Sequence, residues 1–156
     1  MKLYLIRHAK AEPLSERYPE DSIRPLARDG RRELVSMMRV WKRLDVHFDT
    51  IITSPYSRAL QTAKLIRKKS FSYNKVLLSD VLKPDPDFEA IRHLLNDFNS
   101  STSVALVGHN PYLEEFAATL LNLTEPLIEF KTSGLAGFDL PVGTGKAHLI
   151  TLLNKP

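Results

Sequence analysis

The chain of 156 residues contains no cysteine and no long apolar run, and each absence excludes whole classes of protein. Without cysteine it forms no disulfide, no thiolate zinc site and no iron–sulfur cluster, and it has no cysteine nucleophile. Its apolar runs are far shorter than the roughly 20 residues of a transmembrane helix. Near the N-terminus, charge returns at Arg7 before the apolar core of a signal peptide could form, so we expect an intracellular, cytoplasmic protein.

The sequence also lacks the residue patterns that are typical of metal-binding sites and of nucleic-acid-binding surfaces. The carboxylates are scattered, and no group of His and Asp has the spacing of metal ligands, so we expect no metal and no other cofactor. No basic stripe alternates with aromatic residues, and we therefore expect neither nucleic acid nor a membrane as a partner. The net charge is +4, from 22 Lys and Arg against 18 Asp and Glu. This excess suits an anionic substrate and equally suits ordinary solubility.

Short apolar runs alternate with segments of helical period along the chain. Buried strands are predicted at residues 3–6, 50–53, 76–78 and 104–107, and two later strands at 135–140 and 148–153, joined by a predicted hairpin at 141–146. Helices are predicted at residues 31–44, 55–69, 88–98 and 111–121. This alternation predicts a three-layer α/β/α sandwich with a mostly parallel central sheet and helices on both faces. No repeat or long linker divides the chain, so we expect a single domain over residues 1–156.

Three of the predicted strands end in residues that suit an anion. The first strand is followed by Arg7 and His8, the second precedes a helix that carries Arg58, and the fourth is followed by His109. Ligands of open α/β sheets bind at the carboxyl ends of the strands, so we expect these side chains to lie close together.

The two helix starts at these strand ends follow one pattern. Ser54 and Asn110 are predicted N-caps, each followed by a proline as the first helical residue. Helix N-termini offer free backbone N–H groups and a positive dipole end to an anion. With two arginines and two histidines nearby, the pattern predicts a pocket for a small dianion, best matched by phosphate.

These motifs, in this order and spacing, resemble those of the histidine phosphatase superfamily. The resemblance is carried by Arg7-His8-Ala9, by the segment from Ser54 to Ala63, which reads SPYSRALQTA, and by Gly108-His109-Asn110. The small size, the segment from Asp21 to Leu26 (DSIRPL), Gly30, Pro84 and Thr132-Ser133 are similar to the SixA-type phosphohistidine phosphatases. The implied fold is phosphoglycerate mutase-like.

The resemblance implies a role for each motif residue. His8 would be the nucleophile, forming a phosphohistidine that water then hydrolyses. Arg7 and Arg58 would hold the phosphoryl oxygens, and His109 would donate a hydrogen bond to another. Arg24 matches an arginine that reaches the phosphate in SixA-type enzymes, and the backbone N–H of Asn110 would assist. Arg24 and Asn110 are therefore candidate phosphate-binding residues.

A general acid is also implied, because in larger relatives a carboxylate after the third strand protonates the leaving oxygen. Asp80 stands at about that point, although it is equally suited to cap the end of a strand. An alkoxide leaving group needs this proton, whereas imidazole is a far weaker base. A small enzyme with a poor acid can therefore cleave P–N bonds more readily than P–O bonds.

Three functions follow as alternatives. The first is a metal-independent phosphatase that removes phosphoryl groups from phosphohistidine on a protein, and the second is a phosphomonoesterase of the same superfamily acting on small molecules. The third is a non-catalytic phosphate-binding module, which the intact His8, Arg7, Arg58 and His109 oppose. The expected partner is a phosphorylated protein or a small phosphate ester, and the expected state is a monomer or weak dimer. Ala9, in place of the family's usual glycine, and the short chain argue against a mutase.

Overall fold

A computed structural model describes residues 1–69, 75–141 and 146–155, which form a six-stranded sheet and four α-helices. The strands are β1 (Lys2–Arg7), β2 (Thr50–Thr53), β3 (Lys75–Leu78), β4 (Ser103–Gly108), β5 (Leu135–Asp139) and β6 (His148–Leu153). The helices are α1 (Arg28–Arg43), α2 (Ser57–Lys69), α3 (Phe88–Leu95) and α4 (Tyr112–Leu120), with short 3₁₀ turns at Asp21–Ile23 and Asp80–Leu82. In the described ranges, no helix is long and apolar enough to cross a membrane.

The sheet has the strand order β3-β2-β4-β1-β5-β6. The first four strands of this order run parallel, with Arg7 at the end of β1 opposite Gly108 at the end of β4. β5 pairs antiparallel with both β1 and β6. The expectation of a mostly parallel sheet is confirmed. Because β1, β2 and β4 are adjacent, the residues that follow them leave the sheet along one edge.

Helices cover both faces of this sheet, and each face has its own core. Alternate residues of β1 divide between them: Leu3 and Leu5 face one core, and Tyr4 and Ile6 face the other. The first core is completed by apolar residues of α3 and α4, such as Ile91. The second is completed by those of α1 and α2. The predicted three-layer α/β/α architecture is therefore confirmed.

The outer strands differ from the prediction. β3 was expected to be buried, but it is an edge strand, and Leu77 and Leu78 are largely exposed. A short apolar run reads alike in a central strand and at an edge, so the prediction of burial was wrong. β6 forms the opposite edge and exposes Leu149 and Ile150. Its antiparallel pairing with β5 agrees with the expected pair of late strands, while residues 142–145 of the predicted hairpin lie outside the described residues.

The predicted starts of α2 and α4, at Pro55 and Pro111, were also wrong. α2 begins at Ser57, so Pro55 is not its first residue, although the Oγ of Ser54 accepts a hydrogen bond from the backbone N–H of Tyr56 at 3.3 Å. α4 begins at Tyr112, with Pro111 in the capping position after a cis Asn110-Pro111 bond. In each case the chain makes a turn before the helix starts, and the side chains of Ser54 and Asn110 also bond to partners within the site. α1 also begins three residues before its predicted start, and α3 ends three residues before its predicted end.

A long loop follows β1 and returns beside the strand ends. Its two ends are tied together by the backbone hydrogen bonds Glu12 N–H to Pro25 O and Ala27 N–H to Lys10 O, both 2.9 Å. Gly30 in α1 lets the helix approach this loop, since a Cβ at that position would overlap the carbonyl oxygen of Lys10. The loop therefore has a fixed path that brings residues 21–24 to the site.

Candidate active site

The side chains predicted from three strand ends do meet at one place. The ring centroids of His8 and His109 are 5.2 Å apart, and the Nε of Arg58 lies 3.0 Å from the Nε2 of His8. His8 follows β1, Arg58 lies in the first turn of α2, and His109 follows β4. The parallel neighbours β2, β4 and β1 thus bring together residues that are about 50 positions apart in the chain.

His8 is held as a neutral ring with a defined tautomer. Its Nδ1 lies 2.8 Å from the carbonyl oxygen of Ala9, which can only accept, so Nδ1 carries the proton and Nε2 keeps a lone pair. That lone pair accepts the N–H of Arg58 Nε. Burial, together with the positive charges of Arg58 and Arg7, lowers the pKa of His8 to about 4, although the hydrogen bond to Ala9 acts in the opposite direction. At neutral pH the ring therefore retains a nucleophilic nitrogen.

Arg58 is fixed by the loop after β1. It is 6% exposed, and its Nη1 and Nη2 donate to the backbone oxygen and to Oδ2 of Asp21 at 2.7 and 2.9 Å. The other carboxylate oxygen of Asp21 accepts from Nη1 of Arg24 at 2.6 Å, and Arg24 Nε donates to the carbonyl of Glu12. Burial would raise the pKa of Asp21, but the hydrogen bonds from the two arginines outweigh it and hold that pKa below its usual value. Arg24 thus joins the site through Asp21.

Arg7 reaches the site from the end of β1. Its Nη1 donates to the carbonyl of Phe130 at 2.7 Å, while its buried Nε has no hydrogen-bond partner among the described residues. Burial lowers the pKa of Arg7, and the carboxylates of Glu114 and Glu129 act in the opposite direction. The guanidinium keeps its charge, because an arginine is not deprotonated in a protein.

Asn110 supports the same region with its side chain. Its Nδ2 donates to Oε1 of Glu114 at 2.6 Å and to the carbonyl of Phe130 at 3.0 Å, the oxygen that also accepts from Arg7. The predicted role of Asn110 used its backbone N–H, and that role stays a prediction.

His109 is buried between Ser54 and Tyr56. Its Nε2 lies 2.9 Å from the Oγ of Ser54, and the Tyr56 ring meets the imidazole edge to face at 5.3 Å. The Nδ1 atom is buried and has no hydrogen-bond partner in the part of the chain that the structure describes. Burial, together with the neighbouring His8 and Arg58, lowers the pKa of His109 to about 3. The ring is therefore neutral at physiological pH.

Asp80 lies apart from this cluster. Its side chain is 78% exposed and pairs with Nζ of Lys83 at 3.1 Å in the 3₁₀ turn after β3. Among the described residues, Asp80 forms no hydrogen bond or ion pair with His8, Arg58 or His109. Its role as an acid stays a prediction. The same ranges contain no group of three or more His, Asp or Glu side chains that could hold a metal ion.

Three residues of the site were not predicted. Asp21 was noted only as part of a motif, Ser54 only as a cap, and Thr62 only within the α2 motif. Thr62 Oγ1 accepts from the backbone N–H of Ala9 at 3.0 Å and donates to the carbonyl of Arg58 at 2.7 Å, which joins β1 to α2. The available signal for Asp21 was its position three residues before Arg24; nothing in the sequence pointed to a bond from Ser54 to His109.

This arrangement can bind an oxyanion next to a nucleophile. Two buried polar atoms without partners among the described residues, Nε of Arg7 and Nδ1 of His109, lie on residues flanking His8. Buried polar groups in proteins are normally hydrogen-bonded, so such atoms are expected where a ligand or water completes the site. Two guanidinium groups supply the charge that a phosphoryl dianion needs.

Comparison with known proteins finds similarity to one family of phosphatases. The model of the histidine phosphatase superfamily (branch 1) matches residues 3–78, which carry His8 and Arg58. A putative phosphohistidine phosphatase SixA from Agrobacterium tumefaciens is 27% identical, with a TM-score of 0.83 over 99% of this chain and 97% of that one. The protein histidine phosphatase SixA complexed with tungstate is 24% identical, with a TM-score of 0.87 over 99% and 97%.

The fold is shared with a phosphatase of a small molecule as well. A putative alpha-ribazole-5'-P phosphatase from Escherichia coli K-12 is 17% identical, with a TM-score of 0.75 over 99% of this chain and 96% of that one.

Proposed function

We propose that this chain is a member of the histidine phosphatase superfamily, as its match over residues 3–78 and its likeness to SixA-type structures support, and that it removes phosphoryl groups from phosphohistidine on a protein. One observation carries the proposal: the Nε2 lone pair of His8 is held beside Arg58 and near His109, while the carboxylate bonded to Arg58, that of Asp21, has a lowered pKa and is therefore a poor acid for a leaving group. The likeness at 27% identity to a putative phosphohistidine phosphatase supports the substrate class.

The reaction proceeds in two displacements at phosphorus. The lone pair on Nε2 of His8 forms a bond to phosphorus while the P–N bond of the substrate breaks, and the leaving imidazole takes a proton from water. Water then attacks the phosphohistidine on His8, the new P–N bond breaks, and inorganic phosphate leaves with His8 restored. Arg7 and Arg58 hold the phosphoryl oxygens and neutralise their charge throughout.

The leaving group decides which substrate this site favours. The carboxylate of Asp21, which bonds to the same Arg58 that contacts His8, accepts from two arginines, and its pKa lies below the usual value, so it is a poor proton donor. Asp80 is exposed and paired with Lys83. An imidazole leaving group requires little help, whereas an alkoxide requires a full proton. This contrast favours cleavage of P–N bonds over cleavage of P–O bonds. The predicted cytoplasmic location stays a prediction.

A phosphomonoesterase for small molecules is the second candidate. The likeness of the fold to an alpha-ribazole-5'-P phosphatase favours it. In this case Asp80 would have to reach the leaving oxygen when the substrate binds. Replacing Asp80 by Asn would then abolish ester hydrolysis and leave phosphohistidine hydrolysis nearly unchanged.

A substrate panel tests the proposal. The parent protein and the His8→Ala variant are incubated with phosphohistidine proteins and with sugar and nucleotide phosphates, and released phosphate is measured. We expect rapid release from at least one phosphohistidine protein, slow release from esters, and none with the variant. Release by the variant at the parent's rate would overturn the role of His8, and faster turnover of esters would favour the second candidate.

A further inference from the structure

We propose that Ser54 is a positioning residue whose hydroxyl sets the tautomer of His109, so that the ring presents an N–H at Nδ1 to the phosphoryl group. The inference rests on the proposed function for its catalytic consequence, but not for the tautomer itself. Nothing in the motif predicts it, because Ser54 stands where a helix cap was expected.

Ser54 and His109 are fixed relative to each other by the sheet. Ser54 follows β2 and its backbone N–H donates to the carbonyl of Val107, near the end of β4 and two residues before His109, at 3.1 Å. Both residues are buried, with Ser54 at 0% exposure. The distance of 2.9 Å between Oγ and Nε2 is therefore set by two paired strands and not by a mobile loop.

The hydrogen-bond inventory of the hydroxyl decides the direction of this bond. A serine hydroxyl has one proton to donate and two lone pairs to accept with. One lone pair already accepts the backbone N–H of Tyr56 at 3.3 Å. If Nε2 of His109 also donated to Oγ, the hydroxyl proton would lack an acceptor among the described residues, and a bare lone pair would remain on the buried Nδ1.

The opposite direction leaves a single group unpaired. When Oγ donates to Nε2, the hydroxyl uses its proton and a lone pair, and the ring proton lies on Nδ1. The one remaining unpaired group in this pair of residues is then the Nδ1–H of His109, which has no partner in the ranges described. Leaving a buried polar group unpaired is costly, so the arrangement with fewer unpaired groups is favoured.

This tautomer has a consequence for binding an anion. Burial keeps the ring of His109 neutral, so it can offer a phosphoryl oxygen either an N–H or a lone pair from Nδ1. A lone pair would repel the oxygen. By donating to Nε2, Ser54 makes Nδ1 a donor without requiring a charged imidazolium next to Arg58.

The test combines ¹⁵N NMR of the histidine rings with kinetics on Ser54→Ala, Ser54→Thr and Thr53→Val. Thr53 provides the matched control, since it is also buried and its hydroxyl donates to a backbone carbonyl instead of to His109. We expect the Nδ1–H tautomer of His109 in the parent, in Thr53→Val and in Ser54→Thr, and a loss of this preference in Ser54→Ala. We expect kcat/KM for a phosphohistidine protein to fall about 10- to 100-fold in Ser54→Ala alone.

A double-mutant cycle tests whether Ser54 acts by positioning His109 or contributes to activity independently of His109. If Ser54 acts through His109, Ser54→Ala causes no further loss of kcat/KM in a His109→Ala background. The proposal is overturned if the two losses multiply, or if the parent ring carries its proton on Nε2. The NMR result on the parent needs no variant to fold and no substrate, so it stands even if the phosphatase activity is absent.

Discussion

The Nε2 lone pair of His8 is occupied in the resting site, because the Nε–H of Arg58 donates to it at 3.0 Å. A nucleophile must free this lone pair before it attacks phosphorus. An incoming phosphoryl oxygen is a stronger acceptor than an imidazole nitrogen, since it carries charge. We therefore expect Arg58 to exchange its bond to His8 for one to the substrate, which couples binding to activation of the nucleophile.

Asp21 is the group that holds Arg58 and Arg24 during this exchange. In Asp21→Asn the charge is lost from both ion pairs, and we expect kcat/KM for a phosphohistidine protein to fall about 10- to 100-fold because charge-assisted hydrogen bonds are lost. Asp97→Asn, at an exposed aspartate after α3, serves as the matched control and is expected to retain parental kcat/KM. Equal activity of the two variants would contradict the role given to Asp21.

The residues that carry the proposed chemistry could be predicted because their motifs are local. His8, Arg58 and His109 each belong to a short motif at a strand end, and the structure brings them together. Asp21 and Ser54 were missed for the opposite reason. Their partners, Arg58 and His109, lie 37 and 55 residues further along the chain, and those pairings depend on the folded path of the loop and on strand order.

At the scale of elements, the contact between α1 and the loop after β1 controls the position of the site. Gly30 allows this contact, because any side chain there would overlap the backbone of Lys10. The backbone of residues 9–12 continues directly from His8. A displacement of this loop would therefore be transmitted to the nucleophile and to Asp21.

Replacement of Gly30 by Ala tests this contact. We expect the free energy of unfolding to fall by about 1–3 kcal/mol, since the clash is with backbone and cannot be relieved by a rotamer change. Urea unfolding measures the loss, and phosphatase assays should show a reduced kcat/KM in the folded protein. Ser36→Ala, on the exposed face of the same helix, should change the free energy of unfolding by less than about 0.5 kcal/mol. A Gly30→Ala variant as stable as Ser36→Ala would refute the account.

Element types were predictable from the sequence, whereas their surroundings were not. The apolar runs of β2 and β3 look alike, yet β2 is buried and β3 exposes Leu77 and Leu78 at the edge of the sheet. The order of the strands in the sheet decides which of the two is buried. That order depends on pairing between strands that are far apart in the sequence. The helix starts at residues 57 and 112 also differ from the prediction, and the side chains of Ser54 and Asn110 bond to His109 and to the carbonyl of Phe130, partners that the local motif does not show.

At the scale of the whole molecule, two cores on opposite faces of one sheet hold the site between them. Each face is covered by two helices, so the strand ends that carry His8 and His109 are supported from both sides. The ring of His109 is consequently buried, and the ring of His8 is partly buried. A single domain over residues 1–156 stays a prediction, which a single cooperative unfolding transition would support.

Burial of these two rings makes the stability of the whole protein depend on pH. In the unfolded chain a histidine has a pKa near 6.5, whereas burial lowers the pKa values of His8 and His109 to about 4 and about 3. As the pH falls from about 6.5 towards 4, the unfolded chain binds protons that the folded protein does not, so the free energy of unfolding decreases. We expect a loss of roughly 1–2 kcal/mol per pH unit in this window.

Urea unfolding at pH 7, 6 and 5 measures this loss. In the double variant His8→Gln, His109→Gln the slope should nearly vanish. In the control His47→Gln, His93→Gln, which alters two exposed histidines, the slope should match that of the parent. A parent protein that is equally stable at pH 7 and pH 5, or a steep slope in the first variant, would contradict the burial of two neutral rings.

The most direct test of the central claim is to trap the phosphorylated enzyme. The protein is mixed with a phosphohistidine protein, quenched in alkali within milliseconds, and analysed by mass spectrometry and peptide mapping. We predict one added phosphoryl group, on Nε2 of His8, that is lost in acid and does not form in His8→Ala. A phosphoryl group on any other residue, or full turnover by His8→Ala, would contradict the account.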